Sequence, residues 1–387
     1  MTKSTIGDSP RRREDARFIT GGGAYLDDLR FERLAHAVVL RSPHAHARIK
    51  AIDVGAARNA SGVLAILTAA DAAADGLGPL RPYAEANVQT GEPFIFAPQP
   101  LIAGTKARFA GEPVALVVAE THAQALDAAE LIAVDYEALP AVISSEAARA
   151  ADAPLISEEV PGNVCIDWHT GDAAGVEAAF GNAAHIVTLT LDNHRIVTNP
   201  MEPRGCIGQF DPAGGRYTLH VSSQNIHINR NHVARALGVE PKDVRFIAPD
   251  VGGGFGAKNF AYAEHALILW AARRTGRPVK WIASRSEVFL ADHAARDTQA
   301  KAALALDAAG KFLALKVASI ANLGAYMAGA GGGVQTYQYV HLQGTVYRIP
   351  SIALHVVAVL SNTAPIGVTR GPGFAETVNI LERLIDA

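Results

Sequence analysis

The chain has 387 residues, 49% of them hydrophobic, and a formal net charge of −3 at pH 7; at about 150 residues per domain that length suits two or three domains. The slightly acidic balance argues against a nucleic-acid role, and Cys165 and Cys206 alone cannot supply a disulfide framework or an iron–sulfur cluster held by four Cys on this chain. No apolar run approaches the about 20 residues of a membrane span, and the polar start, with Arg11-Arg12-Arg13 and no apolar core behind it, is not a secretory signal, so the cytoplasm is the default location.

Residues 1–20 read as a basic, extended lead-in, closed by the Gly21-Gly22-Gly23 turn. Leu34 to Arg41 is an apolar run with β-branched residues and predicts a strand. His44 and His46 follow at i and i+2, a spacing that suits a metal, but no Cys, Asp or third His lies nearby and the pair reads as structural. Gly111-Glu112-Pro113 leads into Val114 to Ala119, a continuous apolar run of the kind found in a buried strand. Thr121 and Gln124 form a capping box, after which Leu126, Ala129, Ile132 and Ala133 line one helical face and Val134 to Glu137 makes the next strand. This pattern predicts a compact first domain over 21–143. A polar, Ala-rich stretch from Ser144 to Asp152 reads as a linker, placed at 144–158, and 159–387 forms the second domain. Strands are expected there over 186–191, 217–222, 279–283 and 313–321, with a short helix near 231–237 closed by Gly238. Gly329 to Gly333 reads as too flexible for an element interior and is expected to line or cross a site.

The stretch that organises the second domain is Asp250-Val251-Gly252-Gly253-Gly254-Phe255-Gly256-Ala257-Lys258-Asn259. Val244 to Ala248 before it alternates like a strand. After it, Phe260, Ala263, Ala266, Leu267, Trp270 and Ala271 fall at helical spacing, with Asn259 as N-cap and Gly276 as the C-terminal stop. A strand, glycine loop and helix in that order let backbone N–H groups approach an anionic ligand, and the helix start adds about half a positive charge. The loop is not a Walker A motif, because Ala257 separates Gly256 from Lys258 and Asn259 follows. A dinucleotide fingerprint over Gly252, Gly254 and Ala257 lacks the acidic residue at the tip of the next strand. On these residues alone, a glycine turn that merely packs a helix onto a sheet remains an equal reading.

Gly-Gly-Gly-Phe-Gly-Ala-Lys resembles the molybdenum-pterin loop of the xanthine dehydrogenase / aldehyde oxidase family, in its molybdenum-binding large subunit. The resemblance extends to Arg41-Ser42-Pro43-His44-Ala45-His46-Ala47-Arg48-Ile49, Met201-Glu202-Pro203-Arg204-Gly205, Ser222-Ser223-Gln224-Asn225, Asn362-Thr363-Ala364-Pro365 and Thr369-Arg370-Gly371-Pro372-Gly373, in the family's order. It implies an α+β chain: a small α/β hammerhead domain, then the first part of a molybdopterin-binding domain. It also implies molybdopterin with Mo, in the cytosine dinucleotide form usual for bacterial relatives, with iron–sulfur and FAD groups on partner chains. The metal's ligands then come from the pterin, and the protein contributes hydrogen bonds around them. Gln224, Gly253, Gly254, Phe255, Gly256 and Arg370 are the residues implied around the cofactor, with Gln224, Phe255 and Arg370 nearest the metal and none of them a ligand.

Departures from the family pattern shape the expected chemistry. Asn259 stands where purine-oxidising members carry a Glu, and cannot make the same charge-assisted bonds to a purine. Gly371 replaces the Cys of copper-containing carbon monoxide dehydrogenases, which removes the copper thiolate. Pro372 stands where some relatives place an aromatic clamp. Asn259 and Pro372 are therefore the substrate-side positions, and the resemblance points to an aldehyde or an N-heterocycle. The chain departs in length too: the family's large subunits run about twice as far and carry the catalytic Glu, a general base, near their end. No catalytic residue is expected in this chain, which is read as half of a split subunit or as a fragment, inactive without a second half. A non-catalytic scaffold of the same fold and a nicotinamide-binding oxidoreductase are the competing readings.

Overall fold

The continuous apolar run at 113–119 is buried at every position, and the sheet around it shows why. The structure, a computed structural model, describes residues 6–387, so residues 1–5 of the lead-in lie outside it. In chain order the strands are β1 (Ala35–Arg41), β2 (Ala47–Asp53), β3 (Val63–Thr68), β4 (Lys106–Ala107), β5 (Pro113–Ala119), β6 (Ala133–Ala138), β7 (Val164–Gly171) and β8 (His185–Asn193). They continue as β9 (Gly205–Asp211), β10 (Arg216–Val221), β11 (Val244–Ile247), β12 (Val279–Ile282), β13 (Thr298–Leu306), β14 (Phe312–Asn322) and β15 (Ser351–Val359). Strand β5 sits between β1 and β3 in a sheet ordered β11-β10-β9-β12-β1-β5-β3. Ala115, Val117 and Ala119 face the His122–Glu130 helix, while Leu116 and Val118 face a core shared with the Ile226–Leu237 and Ala263–Thr275 helices. Covered on both faces, the strand has no polar side to alternate with.

This sheet passes through both halves of the chain, because β1 pairs in parallel with β12 through Ala35 and Val279. A second sheet, β7-β15-β14-β13-β8, carries the rest of the second half, and β4-β2-β6 forms a small third one. One face of the second sheet is packed by the Phe374–Asp386 helix through Ile380, Leu381 and Leu384. No helix among the described residues is long and apolar enough to cross a membrane.

Several local expectations need correction. The helix after the glycine loop starts at Ala263, not Phe260, and Tyr262 rather than Asn259 precedes it. Tertiary bonds hold 257–262 out of the helix: the Ala261 amide donates to the Tyr83 hydroxyl and the Tyr262 hydroxyl to the Ala257 carbonyl, at 2.7 and 2.8 Å. The helix dipole is therefore displaced from the loop. The glycines at 331–333 are helical and lead into a π-turn over Val334–Gln338. Gly332 serves close packing rather than flexibility, since a Cβ there would sit 2.8 Å from the Phe94 ring. The Ser144–Asp152 stretch contains a short helix, Ser145–Ala148, whose Ala148 packs on Val357 and Val359. The His122–Glu130 helix buries Ala125, Ala128 and Ala129, leaving Leu126 exposed. The helix closed by Gly238 begins at Ile226, five residues earlier than its apolar spacing showed, capped by Asn225. His46 is buried with Nδ1 2.6 Å from the Pro140 carbonyl, a structural role.

The lead-in is not extended throughout, for Asp15–Ile19 is helical. Arg17 forks onto both carboxylate oxygens of Asp250 at 2.5 and 2.7 Å, and the Ala24 amide adds a third bond at 2.8 Å. The Arg17 bond, more than any other contact, holds the Asp250 carboxyl down at about 2. A carboxyl depressed in the folded state stabilises above its unfolded value and releases that stability as pH falls through the folded one. The hydrogen-exchange protection of residues 17–25, relative to the unfolded chain at the same pH, is therefore expected to fall between about pH 4 and pH 2, and Asp250→Asn is expected to show the lowered protection already at pH 7.

Candidate functional site

The glycine loop leaves β11 and doubles back against three other segments. Three of its glycines face something that a Cβ would strike. At Gly252 it would lie 2.5 Å from Glu202 Cβ, at Gly254 2.4 Å from Gln224 Cδ, and at Gly256 2.5 Å from the Val368 carbonyl oxygen. Gly253 and Gly256 also have φ of +97 and +105, and Phe255 between them has φ +50, a left-handed conformation uncommon for an aromatic residue. The loop is thus threaded between the 202 turn, the end of β10 and the 368–370 segment, with the Phe255 ring turned outward and exposed.

Gln224 is fixed at both ends. Its backbone amide donates to the Lys258 carbonyl at 2.9 Å, and its side-chain oxygen accepts from the Gly256 amide at 2.8 Å. An amide N–H can only donate, so the Gln224 NH2 must point away from the loop. Arg370 arrives from the other side: its amide donates to the Phe255 carbonyl at 2.8 Å, and its guanidinium carbon lies 5.0 Å from the centre of the Phe255 ring. The exposed guanidinium has no carboxylate partner among the described residues, nor do the Gly253, Gly254 and Phe255 amides have a protein acceptor. The Arg370 segment is itself held by Arg296, which donates to the Arg370 carbonyl at 2.9 Å and pairs with Glu376, and by Thr198 Oγ1 2.5 Å from Thr369 Oγ1.

Gln224, Gly253, Gly254, Phe255, Gly256 and Arg370 are therefore brought together around one loop. Asn259 adjoins it, its amide donating to the Gly256 carbonyl at 3.1 Å, and Pro372 follows two residues after Arg370. Lys258 does not point into the cradle. Its ammonium is buried beneath the loop, 2.9 Å from Glu202 Oε2 and 2.8 Å from Ser222 Oγ. Burial lowers its pKa, and Glu202 partly restores it. Glu202 also accepts from Ser222 Oγ and the Gly252 amide, at 2.5 and 2.8 Å. This Glu202–Lys258–Ser222 knot escaped the sequence reading, because 56 residues separate the ion pair and no periodicity links them.

A second charged group lies behind the knot. Arg204 Nε donates to Asp292 at 2.7 Å and its NH1 to Glu264 at 3.2 Å, while Arg41 donates to the other Glu264 oxygen at 2.7 Å. The Arg204 guanidinium carbon stands 3.6 Å from the centre of the Tyr262 ring, close enough for a cation–π contact. Burial acts to raise the Glu264 carboxyl, but Arg204 and Arg41 outweigh it and hold it below the usual carboxylate range. Tyr262 in turn donates to the Ala257 carbonyl, so the network braces the loop from its buried side.

The chain matches known families over most of its length. Residues 156–387 match the molybdopterin cofactor-binding domain, and residues 20–140 match the aldehyde oxidase and xanthine dehydrogenase a/b hammerhead domain. It is 34% identical to the carbon monoxide dehydrogenase large chain of Hydrogenophaga pseudoflava over 97% of this chain and 47% of that protein. It is 33% identical to the nicotine 6-hydroxylase large subunit of Paenarthrobacter nicotinovorans over 100% of this chain and 47% of that one. The solved quinoline 2-oxidoreductase of Pseudomonas putida 86 superposes with a TM-score of 0.89 at 35% identity, covering 99% of this chain and 49% of that one. The chain thus spans about half the length of the relatives it matches. With a hammerhead region leading into a glycine cradle closed by Gln224 and Arg370, the chain belongs to the molybdopterin-binding large subunits of the xanthine dehydrogenase and aldehyde oxidase family.

Proposed function

We propose that the chain forms the N-terminal half of a molybdenum hydroxylase subunit that oxidises an aldehyde or an N-heterocycle with oxygen derived from water. The observation that carries this reading is the group of donors without a protein acceptor around one loop: the Gly253, Gly254 and Phe255 amides, the Gln224 NH2 and the Arg370 guanidinium. An anionic, oxygen-rich group suits these donors, and the packed glycines leave the backbone bare for it. When bound, the molybdenum–pterin group, proposed as the cytosine dinucleotide, supplies the two-electron oxidation. Gln224 donates one hydrogen bond to it from a side chain locked by Gly256. Arg370 adds a charge that cannot be neutralised, and its stacking on Phe255 fixes the direction of the fork. Asn259 and Pro372 border the substrate side, and Gly371 offers no thiolate. The general base, a Glu, is assigned to the second half, and iron–sulfur and FAD partners in the cytoplasm carry the electrons away.

The test is metal and pterin analysis, with turnover, of the complex isolated with its native partners. Molybdenum and a pterin nucleotide are expected in the wild-type complex. Gln224→Ala is expected to lower kcat by roughly 100-fold, the size of losing one preorganised donor, with the melting temperature unchanged. A complex that contains neither molybdenum nor pterin would support a non-catalytic scaffold instead, and bound NAD would support a nicotinamide enzyme.

A further inference from the structure

Three donor groups on the second sheet take no part in the cradle. Asp167 and His169 lie on β7 at i and i+2, which puts them on the same face. His355 on β15 is the direct cross-strand partner of His169, and Asp167 is diagonal to it, opposite Val357. Leu354 and Val356 point into the core under the Phe374–Asp386 helix, so His355 faces the other way, toward solvent. The two imidazole rings stack with centroids 3.9 Å apart and planes 9° from parallel. His355 Nε2 lies 2.6 Å from Asp167 Oδ1, and one donor atom from each residue lies within 4.8 Å of the others. A cavity of about 420 Å³ opens beside the pair, walled by Gly171, Val176, Glu177 and Lys316. The Lys316 ammonium is held by Glu177, so no unpaired cation faces the cluster from there.

We propose that Asp167, His169 and His355 bind a divalent transition metal of the zinc class. Two imidazole nitrogens and one carboxylate oxygen form a donor set that suits zinc or copper, not magnesium or calcium, which take oxygen ligands. Zinc bonds of about 2.0–2.2 Å place tetrahedral donors about 3.3 Å apart. Rotamer changes in three accessible side chains reach that spacing, while the paired backbone of β7 and β15 stays in register. The remaining coordination position opens on the cavity, as in sites with three protein ligands. Because β7 is the outermost strand of its sheet, the metal would staple an edge strand to its neighbour. A ligand that binds only the folded chain stabilises it by mass action.

The complex isolated with its native partners, stripped with a chelator and exchanged into metal-free buffer, is titrated with Zn²⁺ against a chromophoric zinc chelator. One zinc equivalent is expected that His169→Ala and His355→Ala abolish. Asp167→Asn is expected to weaken it by at least roughly tenfold, the loss that even an outer-shell partner causes. Zinc is expected to raise the melting temperature of the wild type and not of His355→Ala. Should a His variant fail to assemble, Asp167→Asn carries the test alone. Zinc uptake that is absent from the wild type, or unchanged by any folded variant, overturns the site. Molybdenum and pterin content is read in the same samples and is expected to stay constant, so a failure here is separable from a failure of the cradle.

Discussion

Gly256→Ala is expected to yield a complex that assembles but contains roughly a tenth or less of the wild-type molybdenum and pterin. At φ +105 an alanine is strained wherever it points, a cost of about 1–3 kcal/mol. Its Cβ would also lie 2.5 Å from the Val368 carbonyl oxygen, which is backbone and has no rotamer to escape through. Relief requires the 368–370 segment to move off the loop. That movement breaks the bond from the Arg370 amide to the Phe255 carbonyl and unstacks the guanidinium from the ring. At 1.4 kcal/mol per factor of ten, the strain alone is worth roughly 5- to 150-fold in occupancy. Gly254→Ala is the informative contrast. There the obstacle is the Gln224 side chain, which can swing aside, so that variant is expected to keep its melting temperature while losing the Gln224 contact. Equal cofactor content in wild type and Gly256→Ala, measured by metal and pterin analysis, would remove the cradle from the account.

The second large effect lies in the buried charges. Glu264→Ala is expected to lower the stability of the subunit by about 3–5 kcal/mol, the usual result of removing one partner from a buried ion network. Arg41 and Arg204 are left almost fully buried at 5% and 2% side-chain exposure, each short of a carboxylate oxygen. Asp292 and Glu287 remain as partners, which keeps the loss within that range. The urea midpoint of the complex, followed through Trp281 beside Arg204, reads the change. Because Arg204 also packs on Tyr262, which bonds to the Ala257 carbonyl, a looser cofactor is expected to accompany the lower midpoint. A midpoint unchanged from wild type would show that the network carries no net stability.

Part of the candidate site was legible before the fold. Gly252, Gly254 and Gly256 announce a backbone that something approaches closely, and the strand before them follows from Val244 to Ala248. What misled was local inference where tertiary bonds decide. Asn259 is a sound N-cap by composition, yet the chain runs on to Tyr262 before turning helical, because the Tyr83 and Tyr262 hydroxyls claim the intervening backbone. The glycines at 331–333 look mobile in sequence but are helical, with Gly332 wedged against Phe94 and Met327. Lys258 ends a glycine loop read as open to an anionic ligand, and only the fold shows its ammonium spent on Glu202 and Ser222.

By itself the sequence determined the family, the two-part order of the chain and the glycine loop, since each is written in contiguous residues or in their period. Only the tertiary structure decided that Gln224, Phe255 and Arg370 meet, that Glu202 anchors the loop from below, and that His169 stands opposite His355 across two strands. Those facts depend on strand register and on contacts between residues far apart in the chain, and neither leaves a periodic trace in the sequence.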